Sequence, residues 1–390
     1  MLNTILECYK WLLRIFNTLS RQKDEVLSRD NTARILVCGP TVYDFSHFGH
    51  ARILLFYDLV ARYLEQKGMN TTAILNITDI DPKISFRAKE EGSSATEISN
   101  RFINELLIDI RSLGIETFSI ARTSDYLETA KDLIRGLVTE KRAYFTNNNV
   151  YLDTSSLASY GWLSRMSRDE LINSRVDIAK GKKNPSDILL WNGSDDFGQT
   201  YHDNFLGTGV PWWHIQDSSV AMSIFDGKYD IHGGAIELVY PHHESIIAQL
   251  QVLTSSQQPV KIWNHVGLVT INGKKMSKSF GNVVRIRDML HKYGSNIIRL
   301  YLFSRHYRQP FKFSQSELDK YCFINDKIAS SLWRTVGTSN QSSSKLRQKF
   351  TSYIENDMNT PAALQLMTEA ATRHDLTDLK YMTRIFGLSY

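Results

Sequence analysis

The segment between Ile35 and Ile77 constrains this chain more than any other. Ile35–Val37 is a short apolar run that ends in Cys38-Gly39-Pro40, a buried strand followed by a turn. Turn-forming residues continue to Ser46. Ile53, Phe56, Tyr57, Val60, Tyr63 and Leu64 then recur at helical spacing, and Gly68 ends the helix. Thr72–Ile77 is rich in β-formers and predicts a second strand. Strand, helix and strand in so short a span make a βαβ unit, which requires a parallel sheet and an α/β fold.

The 390 residues exceed one small core and suit two or three domains. A hydrophobic content of 42% with 22% charged residues is that of an ordinary globular protein. No run approaches the ~18 uncharged apolar residues that a membrane span needs, so no membrane partner is expected. The net charge of +5 permits a nucleic-acid partner without requiring one. The three cysteines, Cys8, Cys38 and Cys322, are scattered and odd in number. They form no disulfide framework, which favours a reducing compartment. The first fourteen residues, MLNTILECYKWLLR, are apolar with Lys10, Arg14 and a single acid, Glu7. They read as an organellar presequence, a short amphipathic helix or a plain N-terminal extension.

Residues 95–139 read as helices. From Ala143 to about Phe197 the texture changes to short strands and turns, as in an inserted domain. Strand-like and helical pieces return between Trp212 and Leu253, followed by a β-to-loop segment over residues 264–282. Beyond Asp288 the chain reads as helix, interrupted by a polar linker, GTSNQSSSKLRQK (337–349).

Three short stretches carry chemistry. In HFGHAR (47–52), His47 and His50 project from one side of a first helical turn, and Gly49 leaves room for a ligand near the backbone. Helix N-terminal amides and imidazole N–H groups there suit a phosphate on which negative charge develops. GKKMSKSFGN (273–282) sets three lysines among serines and glycines, a cationic loop suited to closing over a polyphosphate. In YDIHGGAIELVYPHHESIIAQ (229–249), a glycine pair follows a strand, and Pro241, His242 and His243 stand at a helix start. Each alone has a plain alternative: core or surface histidines, a solvated basic turn.

Their order and wording together resemble one family. CGPTVYDFSHFGHAR and KMSKS resemble the two signatures of class I aminoacyl-tRNA synthetases. IFNTLSRQK (15–23), CGPTVYD (38–44), NITDIDPKI (76–84), WHI (213–215), DIHGGAIELVYPHHE (230–244) and DMNTPAAL (357–364) narrow the resemblance to cysteinyl-tRNA synthetases. It implies a Rossmann-type parallel sheet with a connective insertion and an α-helical C-terminal domain. It implies a cysteine–tRNA ligase that uses ATP, with Mg²⁺, to form cysteinyl-AMP and then charges tRNA(Cys). His47, His50, Lys275 and Lys278 would be catalytic. Gly49, His232, Gly233, Gly234, Glu237, Lys275, Met276, Ser277, Lys278 and Ser279 would bind ATP. Cys38, Thr78 and Trp213 would contact cysteine.

The resemblance breaks at the metal site. The family selects cysteine with a zinc ion held by Cys, Cys, His and Glu. The first and third ligands align with Cys38 and His242. The second position is Asp217, and the fourth is Ile246, which cannot bind a metal. One reading keeps Zn²⁺ on Cys38, Asp217 and His242, with a position open for the substrate sulfur; the other is metal-free. Family members also commonly continue into an anticodon-binding domain that the residues after DMNTPAAL do not provide. Two rival readings share the fold: a cysteine–amino-sugar ligase of mycothiol type, and a non-catalytic RNA-binding paralogue.

The expected division is an N-terminal extension (1–14), the two halves of the catalytic domain (15–114 and 213–255), a connective insertion (115–212), a stem with KMSKS (256–318) and a truncated helical bundle (319–390). A cytoplasmic monomer is expected, with an organellar location left open by the first fourteen residues.

Overall fold

The computed structural model describes residues 13–27, 30–174, 181–193, 198–276, 281–333 and 344–390. The N-terminal segment before Leu13, the KMSKS residues Ser277, Lys278 and Ser279, and the first part of the polar linker lie outside the described residues.

The chain opens with an antiparallel hairpin, β1 (Arg14–Asn17) and β2 (Gln22–Glu25). The βαβ unit follows as β3 (Thr32–Thr41), α1 (Phe48–Gln66) and β4 (Asn70–Thr78). Next come α2 (Pro82–Glu91), α3 (Ala95–Ser112), β5 (Phe118–Arg122) and α4 (Leu127–Thr139). The insertion contains β6 (Ala143–Thr146), β7 (Asn149–Leu152), α5 (Arg168–Asn173), β8 (Ile188–Asn192), β9 (Tyr201–Asp203) and β10 (Gly207–Pro211). The chain then returns through α6 (Trp213–Phe225), β11 (Tyr229–Ala235), α7 (His242–Thr254) and β12 (Val260–Val266). β13 (Val269–Ile271), β14 (Lys274–Lys275), α8 (Ile286–Phe303) and β15 (Phe311–Lys312) precede the helices α9 (Gln315–Trp333), α10 (Ser344–Glu355), α11 (Thr360–Arg373) and α12 (Leu376–Ile385).

The central sheet has the order β12-β11-β3-β4-β5, and every pair is parallel. Ile35, Leu36 and Val37 of β3 are all fully buried, because helices cover both faces of the sheet. β3 neighbours β4 on one side and β11 on the other, so successive crossovers leave it in opposite directions. A crevice opens at such a switch point, beyond the carboxyl ends of the strands. Cys38 lies near the end of β3, and Gly234 and Ala235 end β11.

The sheet takes more of the chain than the sequence division allowed. β5, expected within the insertion, is the edge strand beside β4, so residues 95–139 are two helices with a strand between them. β12, expected in the stem, is the opposite edge beside β11. β5 is only five residues long with one buried side chain, and β12 buries the polar Asn264 and His265 beside its apolar residues, so neither shows a clean period; parallel pairing with a distant neighbour decides them. The insertion folds as a separate antiparallel sheet, β6-β7-β8-β10-β9. The end of the expected polar linker, from Ser344, is already helix α10, where Leu346, Phe350 and Ile354 turn inward.

Candidate active site

HFGHAR builds its own helix start. Gly49 N–H donates to His47 Nδ1 (3.1 Å), and His47 N–H donates to His50 Nδ1 (3.3 Å). The two histidines are thus a reciprocal cap in which imidazoles replace the usual hydroxyl and carboxylate. With Nδ1 accepting, each neutral ring carries its proton on Nε2. The rings stack with centroids 3.7 Å apart. Gly49 is required by this cap as well as by any ligand, since a Cβ would stand 2.9 Å from His47 Cε1.

Arg52, in the same word, is 3% exposed and serves the architecture. It donates to the carbonyls of Gly267, Leu268, His306 and Gln309, and burial lowers its pKa to about 9. It fastens α1 to the strand that carries the lysine loop. That strand, β13, turns at Asn272-Gly273, both with positive φ, into β14. This is the Asn-Gly hairpin turn, and it delivers Lys275 and the buried Met276 to the crevice.

A cleft of about 420 Å³ lies at the switch point. His47, Gly49, His50, Cys38, Trp213, Glu237, Lys275 and Met276 all line it. Lys275 forms an ion pair with Glu237 across it. A neighbouring apolar cavity of about 240 Å³ shares Thr41, Lys83 and Trp213 with the cleft. The expected residues Thr78, His232, Gly233 and Gly234 take other places. Thr41, the register partner of Thr78, lines the wall, while the Thr78 carbonyl accepts from Val42 N–H (3.1 Å). The glycine pair is buried beneath the floor, where a Cβ on Gly233 would stand 2.3 Å from the Tyr57 ring. These glycines admit core side chains; Ala235, Glu237 and Leu238 carry the wall instead.

At the closed end of the cleft, Cys38 Sγ sits inside a cage. His243 Nε2 is 3.2 Å away, His232 Nε2 3.3 Å, Asp217 Oδ1 3.4 Å and His242 Nε2 3.7 Å. His242 Nε2 and Asp217 Oδ2 are 2.9 Å apart. Asn76, the register partner of Cys38 on β4, donates its side-chain amide to Asp217 Oδ1 (2.5 Å). Trp213 stacks on His242 with centroids 4.8 Å apart. Burial, then the adjacent Asp217, pushes the Cys38 thiol well up. Burial also works against the Asp217 carboxylate, but the His242 charge and hydrogen bond, with His232 and Asn76, hold it below its ordinary range. Burial lowers His232 to about 3, and drives His243 down together with the imidazoles around it.

The donor set suits a thiophilic dication. Donors on one tetrahedral zinc at about 2.0–2.3 Å stand roughly 3.3–3.8 Å from one another, close to the separations around Cys38. A thiolate and a carboxylate would neutralise the dication, so the buried site would carry no net charge. Burial keeps the His232 and His243 imidazoles neutral, as ligands must be. Among the described residues, Cys38, His242 and His243 place one ligand atom each within 4.8 Å of one another. Asp217 and His242 were legible from the motif. The motif gives His243 no role beyond a histidine at a helix start, and it gives His232 to ATP; the structure brings both to Cys38.

The parallel sheet, the histidine-capped helix start at its switch point and the hairpin lysine are those of the class I aminoacyl-tRNA synthetase fold. Solved structures agree at the level of fold. A methionyl-tRNA synthetase of Mycobacterium tuberculosis in complex with methionyl-adenylate superposes with a TM-score of 0.66 at 12% identity, covering 91% of this chain and 88% of that one. A leucyl-tRNA synthetase of Agrobacterium radiobacter gives 0.62 at 13% identity, with 91% and 82% covered. The chain belongs to the family described as tRNA synthetases class I (C) catalytic domain, which matches residues 25–322. It is 39% identical to a cysteine–tRNA ligase of Thermococcus kodakarensis over 310 residues, 79% of this chain and 65% of that protein. It is 34% identical to the enzyme of Thermococcus onnurineus, with 96% and 81% covered. The match thus spans just under two thirds of the T. kodakarensis relative.

Proposed function

We propose that this protein is a cysteine–tRNA ligase acting on L-cysteine, ATP and tRNA(Cys). The observation that carries this reading is one cleft lined by Cys38 with its surrounding imidazoles and by the stacked His47 and His50 together with Lys275. Cysteine would enter with its side chain toward Cys38 and under Trp213. Its carboxylate, already ionised at neutral pH, needs no general base. A carboxylate oxygen bonds to the α-phosphorus, the α–β bridging bond breaks, and pyrophosphate leaves with the electron pair. His47 and His50 donate from Nε2 to phosphate oxygens, and Lys275 offsets the charge that develops. Lys278, with Ser277 and Ser279, would act from the same loop, and Mg²⁺ would accompany ATP. Glu237, on the cleft wall, would accept from the ribose. The tRNA terminal ribose hydroxyl then attacks the carbonyl of cysteinyl-AMP, releasing AMP.

Cys38, Asp217 and His242 would hold zinc, which when bound supplies a soft centre for the substrate thiolate and so discriminates against serine. The division of labour along the chain would be that of the family, with the insertion and C-terminal helices outside the chemistry. A monomer in the cytoplasm fits this role; among the described residues no helix is long and apolar enough to cross a membrane. The test is cysteine-dependent exchange of labelled pyrophosphate into ATP, with serine in parallel, followed by charging of tRNA(Cys). Exchange with cysteine at least about 10²-fold above serine, and base-labile cysteinyl-tRNA, are expected. Exchange without charging would move the acceptor away from tRNA. No cysteine-dependent exchange would overturn the proposal.

A further inference from the structure

Ile246, at the position where the family's fourth zinc ligand is expected, is fully buried in an apolar cluster with Leu36, Leu250 and Trp263. It offers the cage no donor. One helical turn earlier, His243 is also fully buried and aims Nε2 at Cys38 Sγ. Its other nitrogen, Nδ1, lies 2.8 Å from His265 Nε2, and His265 Nδ1 lies 2.7 Å from Thr18 Oγ1. Only one polarity lets His243 present a lone pair to the cage. His243 Nδ1–H donates to His265 Nε2, and His265 Nδ1–H donates to the Thr18 hydroxyl. That arrangement fixes the tautomer and ring plane of a metal-binding imidazole, as outer-sphere acceptors do in metal sites. His232, at a similar distance from Cys38, is turned differently. Its Nδ1 is 2.6 Å from the Tyr229 hydroxyl and its ring stacks on Trp263.

We propose that His243 is a metal ligand in this chain, joining Cys38 and His242 and replacing the donor lost at Ile246, with His265 and Thr18 as positioning residues. The inference rests on the reading of this cage as the cysteine-recognition site. It makes the centre richer in nitrogen than the two-cysteine set of the family, with one protein thiolate and two imidazoles.

Zinc X-ray absorption of the zinc-loaded, full-length wild type tests this without any variant. One sulfur and two imidazole signatures are expected; a single imidazole would overturn the proposal. His243→Gln should raise the zinc dissociation constant at least about 10-fold and change the cobalt-substituted visible spectrum. His265→Gln should weaken zinc by about 10-fold or more while keeping both imidazole signatures, which a role in packing alone would not produce. Zinc bound equally by wild type and a folded His243→Gln would exclude His243. Wild type that binds no zinc yet exchanges pyrophosphate with cysteine would sink the metal proposal and leave the enzymatic one standing. Zinc binding on two imidazoles without exchange would do the reverse.

Discussion

Lys275 shows how little a single surface contact says about a residue's role. Its ion pair with Glu237 joins two partly exposed groups, with side chains 42% and 39% accessible. Such a pair is worth about 0–1 kcal/mol, so releasing it when a polyphosphate arrives costs little. In the transition state the same ammonium would face new negative charge in a cleft that excludes water, where a placed donor is worth far more. Lys275→Ala is therefore expected to lower kcat for cysteine-dependent pyrophosphate exchange by about 10²-fold. The KM for cysteine should stay nearly unchanged, because the thiol cage lies at the other end of the cleft. Steady-state exchange kinetics check both. An equal rise in cysteine KM would place the lysine in substrate binding instead.

At the scale of elements, α8 is held by one buried cation. Arg299 is fully buried, and its Nη2 contacts Asp58 Oδ2 of α1 (2.9 Å), which is buried too. The same guanidinium donates to the carbonyls of Leu113 and Gly114 after α3 and of Phe386 after α12. Four segments distant in sequence thus share one side chain. Arg299→Met would remove the guanidinium from the Phe386 carbonyl and from a buried carboxylate, although Ser295 still donates to Leu113, Arg62 to Gly114, and Arg62 and Thr117 still contact Asp58. A loss of about 3 kcal/mol is expected, read from urea midpoints. A change below about 1 kcal/mol would mean that Arg62 alone satisfies Asp58.

At the scale of the whole molecule, one hydrophobic core runs from β1 through the outer face of the sheet, α1 and α3, into the C-terminal helices. Its seam between α3 and α8 carries a carboxyl with an altered titration. Burial raises Asp109 to about 6, against the pull of Arg287, whose Nη2 is 3.3 Å away. Asp109 Oδ2 has no hydrogen-bond partner among the described residues, so nothing there offsets the desolvation of its charge. The unfolded value is about 3.9. Between about pH 4 and 6 the native state therefore binds a proton that the unfolded chain has released. Its contribution favours folding below that window and is lost as pH rises through it. Asp109→Asn should gain stability relative to wild type as pH rises from 4 to 6.5. Paired urea melts across that range check the sign; a constant difference would contradict it.

Local sequence sets the βαβ unit, the helix that begins at HFGHAR and the turn at Asn272-Gly273, the last of which a reading of residues 264–282 as strand and loop leaves out. These are local matters: a period of 3.6, a cap three residues long, a turn that needs positive φ at two positions. His47, His50, Lys275, Glu237, Cys38 and Trp213 meet in one cleft because each sits at the end of an element whose start was legible. Tertiary structure alone decided the rest. Edge strands β5 and β12 exist because a parallel neighbour offers hydrogen bonds, which no local pattern announces. Gly233 and Gly234 face Tyr57 and His243 rather than a nucleotide, since close packing within the core uses up the space that a missing Cβ leaves. The imidazole of His243 meets Cys38 from across the sheet and is aimed by His265, itself on a different strand. Which side chains surround a buried thiol depends on distances between elements, and those follow only from packing the whole chain.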